Sequence, residues 1–249
     1  TSYGWTSHMN RNPNPKNKRN HNNHEFRDKP ARSYESLFIP SFKKSRHILL
    51  IMKYENREIA GLLLFIGGVQ FVLGIIIAEA LYPGYSTSEN YISDLGVGPS
   101  SLIFNSSVFL LGVLVVGGAY FIQRAFNFTL FSILSAITGI GAIGVGLFPE
   151  DAGVLHVIFS LITFLFAGLS AILSYKLQKP PLSCFSVVLG ALSLLALVLF
   201  GSGIYLGLGK GGMERIIAYP ALLWAIGFGG HVISYSRDES TATKSQLSA

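Results

Sequence analysis

Six uninterrupted apolar runs, each of about 20 residues, fill the chain between Ile59 and Tyr235. As α-helix, a run of that length crosses the ~30 Å hydrocarbon core of a bilayer. The runs are residues 59–81, 102–123, 128–148, 153–175, 183–206 and 215–235. They predict an all-α integral membrane bundle of six transmembrane helices, because a helix satisfies its own backbone in lipid. A transmembrane barrel would need segments of about 10 residues with alternating polarity, and none occurs. Only 13% of residues are charged, against roughly 25% in soluble domains, so most of the surface must face something other than water. The later connections are short, which makes sequence neighbours antiparallel neighbours in space.

The chain divides into residues 1–51, a membrane domain over 52–236, and a short tail over 237–249. The formal charge of +6 belongs to the first part alone, where ten Lys and Arg face three Asp and Glu. That segment is rich in Asn, Lys, Arg and His and poor in apolar residues, so it is expected to be disordered. Its histidines (His8, His21, His24) read as part of a solvated tail rather than as metal ligands. With no aromatic platform beside its charge, it gives no reason to expect nucleic acid as a partner. MKYENREIAG at Met52 resembles a start just before the first span, which makes residues 1–51 an expected extension outside the native chain. The single cysteine, Cys184, excludes an intrachain disulfide.

Charge placement orients the bundle. Lys53, Arg57, Arg124, Lys176, Lys179, Arg237 and Lys244 fall at one set of alternate ends. Glu89, Asp94, Glu150, Asp151 and Glu214 fall at the other, against Lys210 and Arg215. The positive-inside rule then places both termini in the cytoplasm of a cell crossing its membrane several times. Tyr82, Tyr85, Tyr91 and Tyr205 are expected at the outer interface, and Tyr120, Tyr175 and Tyr235 at the inner one. Small residues in GIGAIGVG (139–146), among them Ala142 and Gly146, and Gly67, Gly68 and Gly74 in the first span predict close helix contacts. Packing within one bundle is the first reading of these faces, and a homo-oligomer the second.

The longest polar interval, residues 82–107, opens the outer side. There Ser93 and Asp94 stand in YISDLG, and Asn105 sits about one turn into span two. LFPEDAG brings Glu150 and Asp151, and His156 follows with Ser160 four residues on, on the same helix face. LGKGGMER, read as the last outer loop, brings Glu214 and Arg215, while Glu79 lies near the outer end of span one. Ionisable groups near lipid must pair or face water. The Arg215 fork is the natural carboxylate partner, with Asp94 preferred. Ser100 and Ser101 read as an N-cap for span two, and Glu150 and Asp151 as the acidic start of span four. Asn105 is expected to bond a neighbouring helix, and Gln70, Thr138 and Thr163 to be satisfied locally. Gly209, Gly211 and Gly212 fit no phosphate-binding fingerprint.

Two chemistries come into question for this cluster. A shared zinc is disfavoured, since His156 and His231 differ in depth by roughly 20 Å at 1.5 Å per residue. A serine triad of Ser160 or Ser93 with His156 and Asp94 is conceivable on paper, but no G-x-S-x-G elbow supports it. ISDLG before span two, IFN in its first turns, LFPED followed by His156, and GGMERI with Trp224 downstream resemble a family of small prokaryotic membrane proteins catalogued as domain of unknown function 998. The resemblance covers residues 59–235 and implies a six-helix membrane domain without implying an activity. Its motif positions fall on Ser93, Asp94, Gly96, Asn105, Pro149, His156, Glu214 and Arg215. The leading expectation is therefore a multi-pass membrane protein that binds a small polar ligand or lipid headgroup through Ser93, Asp94, Asn105, His156, Ser160, Glu214 and Arg215. It needs no metal or cofactor. The alternatives are a membrane-embedded hydrolase or transferase using His156 and Asp94 as its catalytic pair, and, more weakly, a transporter.

Overall fold

The computed structural model describes the backbone of residues 35–247 and the side chains of residues 56–234. Among the described residues, those from Lys43 on form one compact unit that holds the six candidate membrane-crossing segments. The described residues are helical, with no strand among them. Six helices carry the fold: α1 (Glu35–Leu81), α2 (Ser101–Phe126), α3 (Thr129–Leu147), α4 (Val154–Leu173), α5 (Leu182–Gly201) and α6 (Gly209–Leu247). Each has a stretch long and apolar enough to span a bilayer, with mean hydropathy from 1.7 to 2.5. The protein is a multi-pass membrane protein. The disordered tail expected over residues 1–51 lies outside the described residues up to residue 34, and beyond that only a helical backbone is described. At the other end, α6 continues as backbone helix past the expected limit at Tyr235.

The bundle is inside-out relative to a soluble one. Leu73, Ile76, Val157, Val188, Leu195 and Val198 are each about half exposed or more, a pattern that water would not tolerate and lipid requires. Burial differs sharply between helices. In its most apolar window α6 is 56% buried, whereas α5 is 22% buried. α6 is therefore the inner helix and α5 the outermost, packed along α4 and α6.

Close approach replaces hydrophobic drive as the source of helix contact. A side chain at Gly139 would sit 2.7 Å from the Gly112 carbonyl oxygen, so α3 and α2 cross backbone to backbone. Gly61 and Gly229 do the same for α1 and α6, and Gly168 and Gly190 for α4 and α5. The expected faces hold: Gly67 and Gly74 meet α2, and Gly68 meets Ile226 of α6. Gln70 bonds the Gly67 carbonyl at 3.1 Å but also the Ser107 carbonyl of α2 at 3.0 Å. Thr138 and Thr163 bond the carbonyls of Leu134 and Phe159, four residues back.

The eight helix ends from the end of α1 to the start of α5 fall within three residues of expectation, and the α5–α6 connection does not. α5 ends at Gly201 instead of running to residue 206, because Gly203, Leu206 and Gly207 all take positive φ in the turn. α6 then starts at Gly209, six residues earlier than expected. The segment GKGGMER is the first two turns of a helix, not a loop. Its glycines serve proximity: a side chain at Gly209 would meet the Ser88 carbonyl, and one at Gly211 the Asn90 carbonyl. The Gly211 N–H donates to Ser88 at 2.9 Å. The 82–100 connection thus lies across the start of α6 and caps this end of the bundle.

Candidate functional site

The earlier start of α6 carries Arg215 inside the cap, where its side chain is 9% exposed. The guanidinium pairs with Glu79 of α1 at 2.6 Å. It also donates to the Tyr85 hydroxyl at 2.8 Å and to the carbonyls of Thr87 and Gly211 at 2.9 Å each. Tyr85 in turn donates to the Tyr91 carbonyl at 2.7 Å. Burial, only partly opposed by Arg215, pushes the Tyr85 phenol up to about 12, so it keeps the proton that it donates. The expected Arg215–Asp94 pair is thus corrected to Arg215–Glu79. α1 ends and α6 begins at the same level, whereas Asp94 hangs from the connection on the far side of Asn90.

Asp94 has its own partners. Its Oδ2 accepts from the Asn90 amide and the Tyr91 N–H, each at 2.9 Å. Its carboxyl also shares a hydrogen bond with Glu150 from the α3–α4 turn. Two acids this close hold one proton between them. Burial raises Glu150 first, and the hydrogen bond and negative charge of Asp94 add to it, taking Glu150 up to about 8. Burial pushes Asp94 up too, but the hydrogen bonds from Glu150, Asn90 and Tyr91 outweigh it and hold the carboxyl below its usual range. Glu150 and Asp151 stand in a separate 3₁₀ turn, Glu150–Ala152, and α4 starts after them at Val154.

The remaining residues divide by partner. Glu214 is buried and accepts the Ile92 N–H. His156, 7% exposed, donates from Nδ1 to the Phe148 carbonyl at 2.9 Å. In the neutral ring this leaves Nε2 to accept from Ser160 at 3.2 Å. Asn105 donates to the Gly96 carbonyl at 2.8 Å, a contact with the connection rather than with a helix. Its Oδ1 is buried without a partner. Ser100 precedes α2 without capping it; its hydroxyl bonds the Leu95 carbonyl at 3.0 Å. Asp94 and His156 make no hydrogen bond to each other, since the ring nitrogens are committed to Phe148 and Ser160. Among the described residues no three His, Cys, Asp or Glu come together to hold a metal ion.

Beneath the cap lies a cavity that the sequence did not announce. Its volume is about 100 Å³. Five helices surround it and α5 contributes nothing to its lining. The walls are almost wholly apolar, from Phe71, Val108, Ala142 and Ala218 down to Trp224. Four polar side chains gather at the cap end, Ser93, His156, Ser160 and Glu214, and four more line the deeper part, where Thr138 and Thr163 bond backbone carbonyls and Ser135 bonds Ser170. Arg215, Asp94 and Asn105 do not line it. At the far end Trp224 Nε1 donates to Ser174 at 2.9 Å.

The seven expected site residues therefore share one end of the bundle but not one site. Four line the cavity; Arg215 and Asp94 tie down the cap, and Asn105 braces it. Tyr85 was expected only at the outer interface and Asn90 had no expected role; the one signal for both was their place in the polar interval 82–107. Residues 65–231 match the model of the family described as Protein of unknown function (DUF998), and the chain belongs to that family. No curated protein and no solved structure matches the chain.

Proposed function

We propose that this member of the DUF998 family binds a single-chain amphiphile, with the chain in the central cavity and the head beneath the cap. The observation that carries the proposal is the cavity itself. It is a narrow apolar slot that ends in four polar side chains, the pattern of ligand pockets generally. Its lining runs from Glu214 to Ala225 on α6 and from His156 to Ser170 on α4, roughly 16 and 21 Å at 1.5 Å per residue. Carbon–carbon bonds of ~1.5 Å in a zigzag advance roughly 1.3 Å each, so the slot takes a chain of roughly 12–16 carbons. Binding without chemistry is favoured over hydrolysis, because a carbonyl and not a carboxylate orients His156 and Asp94 is engaged elsewhere.

The same reading places the cap outside the cell and both termini in the cytoplasm. The Lys and Arg residues at the opposite end support this orientation.

The two tryptophans are Trp5 and Trp224. In a Trp5→Phe background in lipid nanodiscs, single-chain amphiphiles brominated near the tail end should quench Trp224 saturably. Ala142→Leu or Ala218→Leu, which fill the slot, should weaken that quenching several-fold at unchanged helicity. Quenching that only tracks the bulk lipid concentration would refute the proposal.

A further inference from the structure

Resting on that binding site, we infer that it selects a head that donates hydrogen bonds and bears no negative charge, a hydroxyl or an ammonium, and rejects anionic heads. The argument is a census of the four polar side chains at the cap end. Ser93 brings one hydroxyl, which lies near Glu150. His156 spends its N–H on the Phe148 carbonyl, and Ser160 spends its hydroxyl on His156. Glu214 accepts the Ile92 N–H on one of its oxygens. His156 and Ser160 have no donor to spare and Ser93 keeps one hydroxyl, while the lone pairs of Ser160 and Ser93 and the second oxygen of Glu214 remain as acceptors.

The nearest cation does not alter this. Arg215 follows Glu214 in sequence but points to the other side of α6, into Glu79, Tyr85 and the carbonyls of the connection. No Lys or Arg lines the cavity. An anionic head would therefore lose its hydration and meet no cation and a single hydroxyl beside the Glu214 carboxyl, a costly arrangement for a buried charge. A hydroxyl loses one water and regains an acceptor. An ammonium regains several, with Glu214 as its counter-charge. A site built of acceptors discriminates by leaving the wrong head unpaired, which separates ligands far better than chain length does.

The test uses three amphiphiles with the same 12-carbon, tail-brominated chain and a hydroxyl, an ammonium or a sulfate head, the last anionic at any working pH. In nanodiscs of zwitterionic lipid, the hydroxyl or the ammonium probe should quench Trp224 at a mole fraction at least tenfold below the sulfate. Preference for the alcohol identifies an uncharged head, and preference for the amine an ion pair with Glu214; either supports the inference. Glu214→Gln keeps an acceptor for the Ile92 N–H and adds a donor, so it should cut the discrimination to below threefold. Ser160→Ala, which leaves the cap untouched, should weaken the alcohol several-fold. Sulfate binding as tight as alcohol would overturn this inference and leave amphiphile binding standing. Absence of saturable quenching by all three would overturn both.

Discussion

The correction of the Arg215 partner yields the most decisive prediction. Arg215→Met removes a cation that is 9% exposed from a carboxylate that is 23% exposed. Removing one member of a buried pair typically costs 3–5 kcal/mol, because the survivor stays charged and unpaired. Glu79 can reach some water, so the lower end applies, about 3 kcal/mol. The Thr87 and Asn90 carbonyls add little, since the connection they belong to is solvated enough to rehydrate them. Glu79→Gln alone should cost about 2 kcal/mol, as Arg215 keeps its other acceptors. Together the two should cost less than their sum by at least about 1.5 kcal/mol, the coupling expected of residues in direct contact. The pair Arg215→Met and Asp94→Asn touches only through Asn90 and should couple less than half as strongly. Unfolding in mixed micelles titrated with SDS, followed by circular dichroism, measures all the variants on one scale. The reasoning fails if Arg215→Met lies within about 1 kcal/mol of wild type, or if Asp94 couples to Arg215 more strongly than Glu79 does.

Three further outcomes follow from other parts of the cap and core. Glu150 is raised from 4.5 to about 8 by burial and Asp94, so its contribution is fully present below about 4.5 and is lost as pH rises through about 8. Thermal stability should fall between about pH 4.5 and 8 by on the order of 1 kcal/mol, after allowing for solvent screening at a half-exposed site. Glu150→Gln should flatten that dependence, and an unchanged pH profile would count against the shared proton. Gly211→Val drives a side chain into the Asn90 carbonyl and should cost about 1–3 kcal/mol. It should also speed proteolysis within residues 82–100, whereas Gly227→Ala, which meets nothing within 4 Å, should do neither. Ser174→Ala strands the buried Trp224 N–H at about 1–3 kcal/mol and should shift its emission; a spectrum identical to wild type would show that the bond is not formed.

Hydropathy and length were enough to read the six spans, because lipid imposes both on every helix separately. The co-location of acids, His156 and Arg215 at one end was also legible, since alternating direction fixes which ends coincide. Pairing within that end was not. Glu79 and Arg215 are 136 residues apart, and their meeting depends on where α6 starts. Three glycines and a lysine made that start look like a loop. Their purpose is visible only against the Ser88 and Asn90 carbonyls they admit.

The cavity shows the deeper limit. Ala142 and Gly146 lie one turn apart on α3 and read alike as small residues for close contact. In the fold Gly146 meets the backbone of Asn105 on α2, while Ala142 borders the open slot. A small side chain creates a contact where the opposing helix advances and a void where it does not. Which of the two occurs is decided by the partner helix, here by the outward position of α5 and the inward one of α6. A site made of what is missing between five helices therefore has no signature in any one of them. The polar residues that end it were visible from the start, but as members of a cluster defined by charge, not as the four that share a wall.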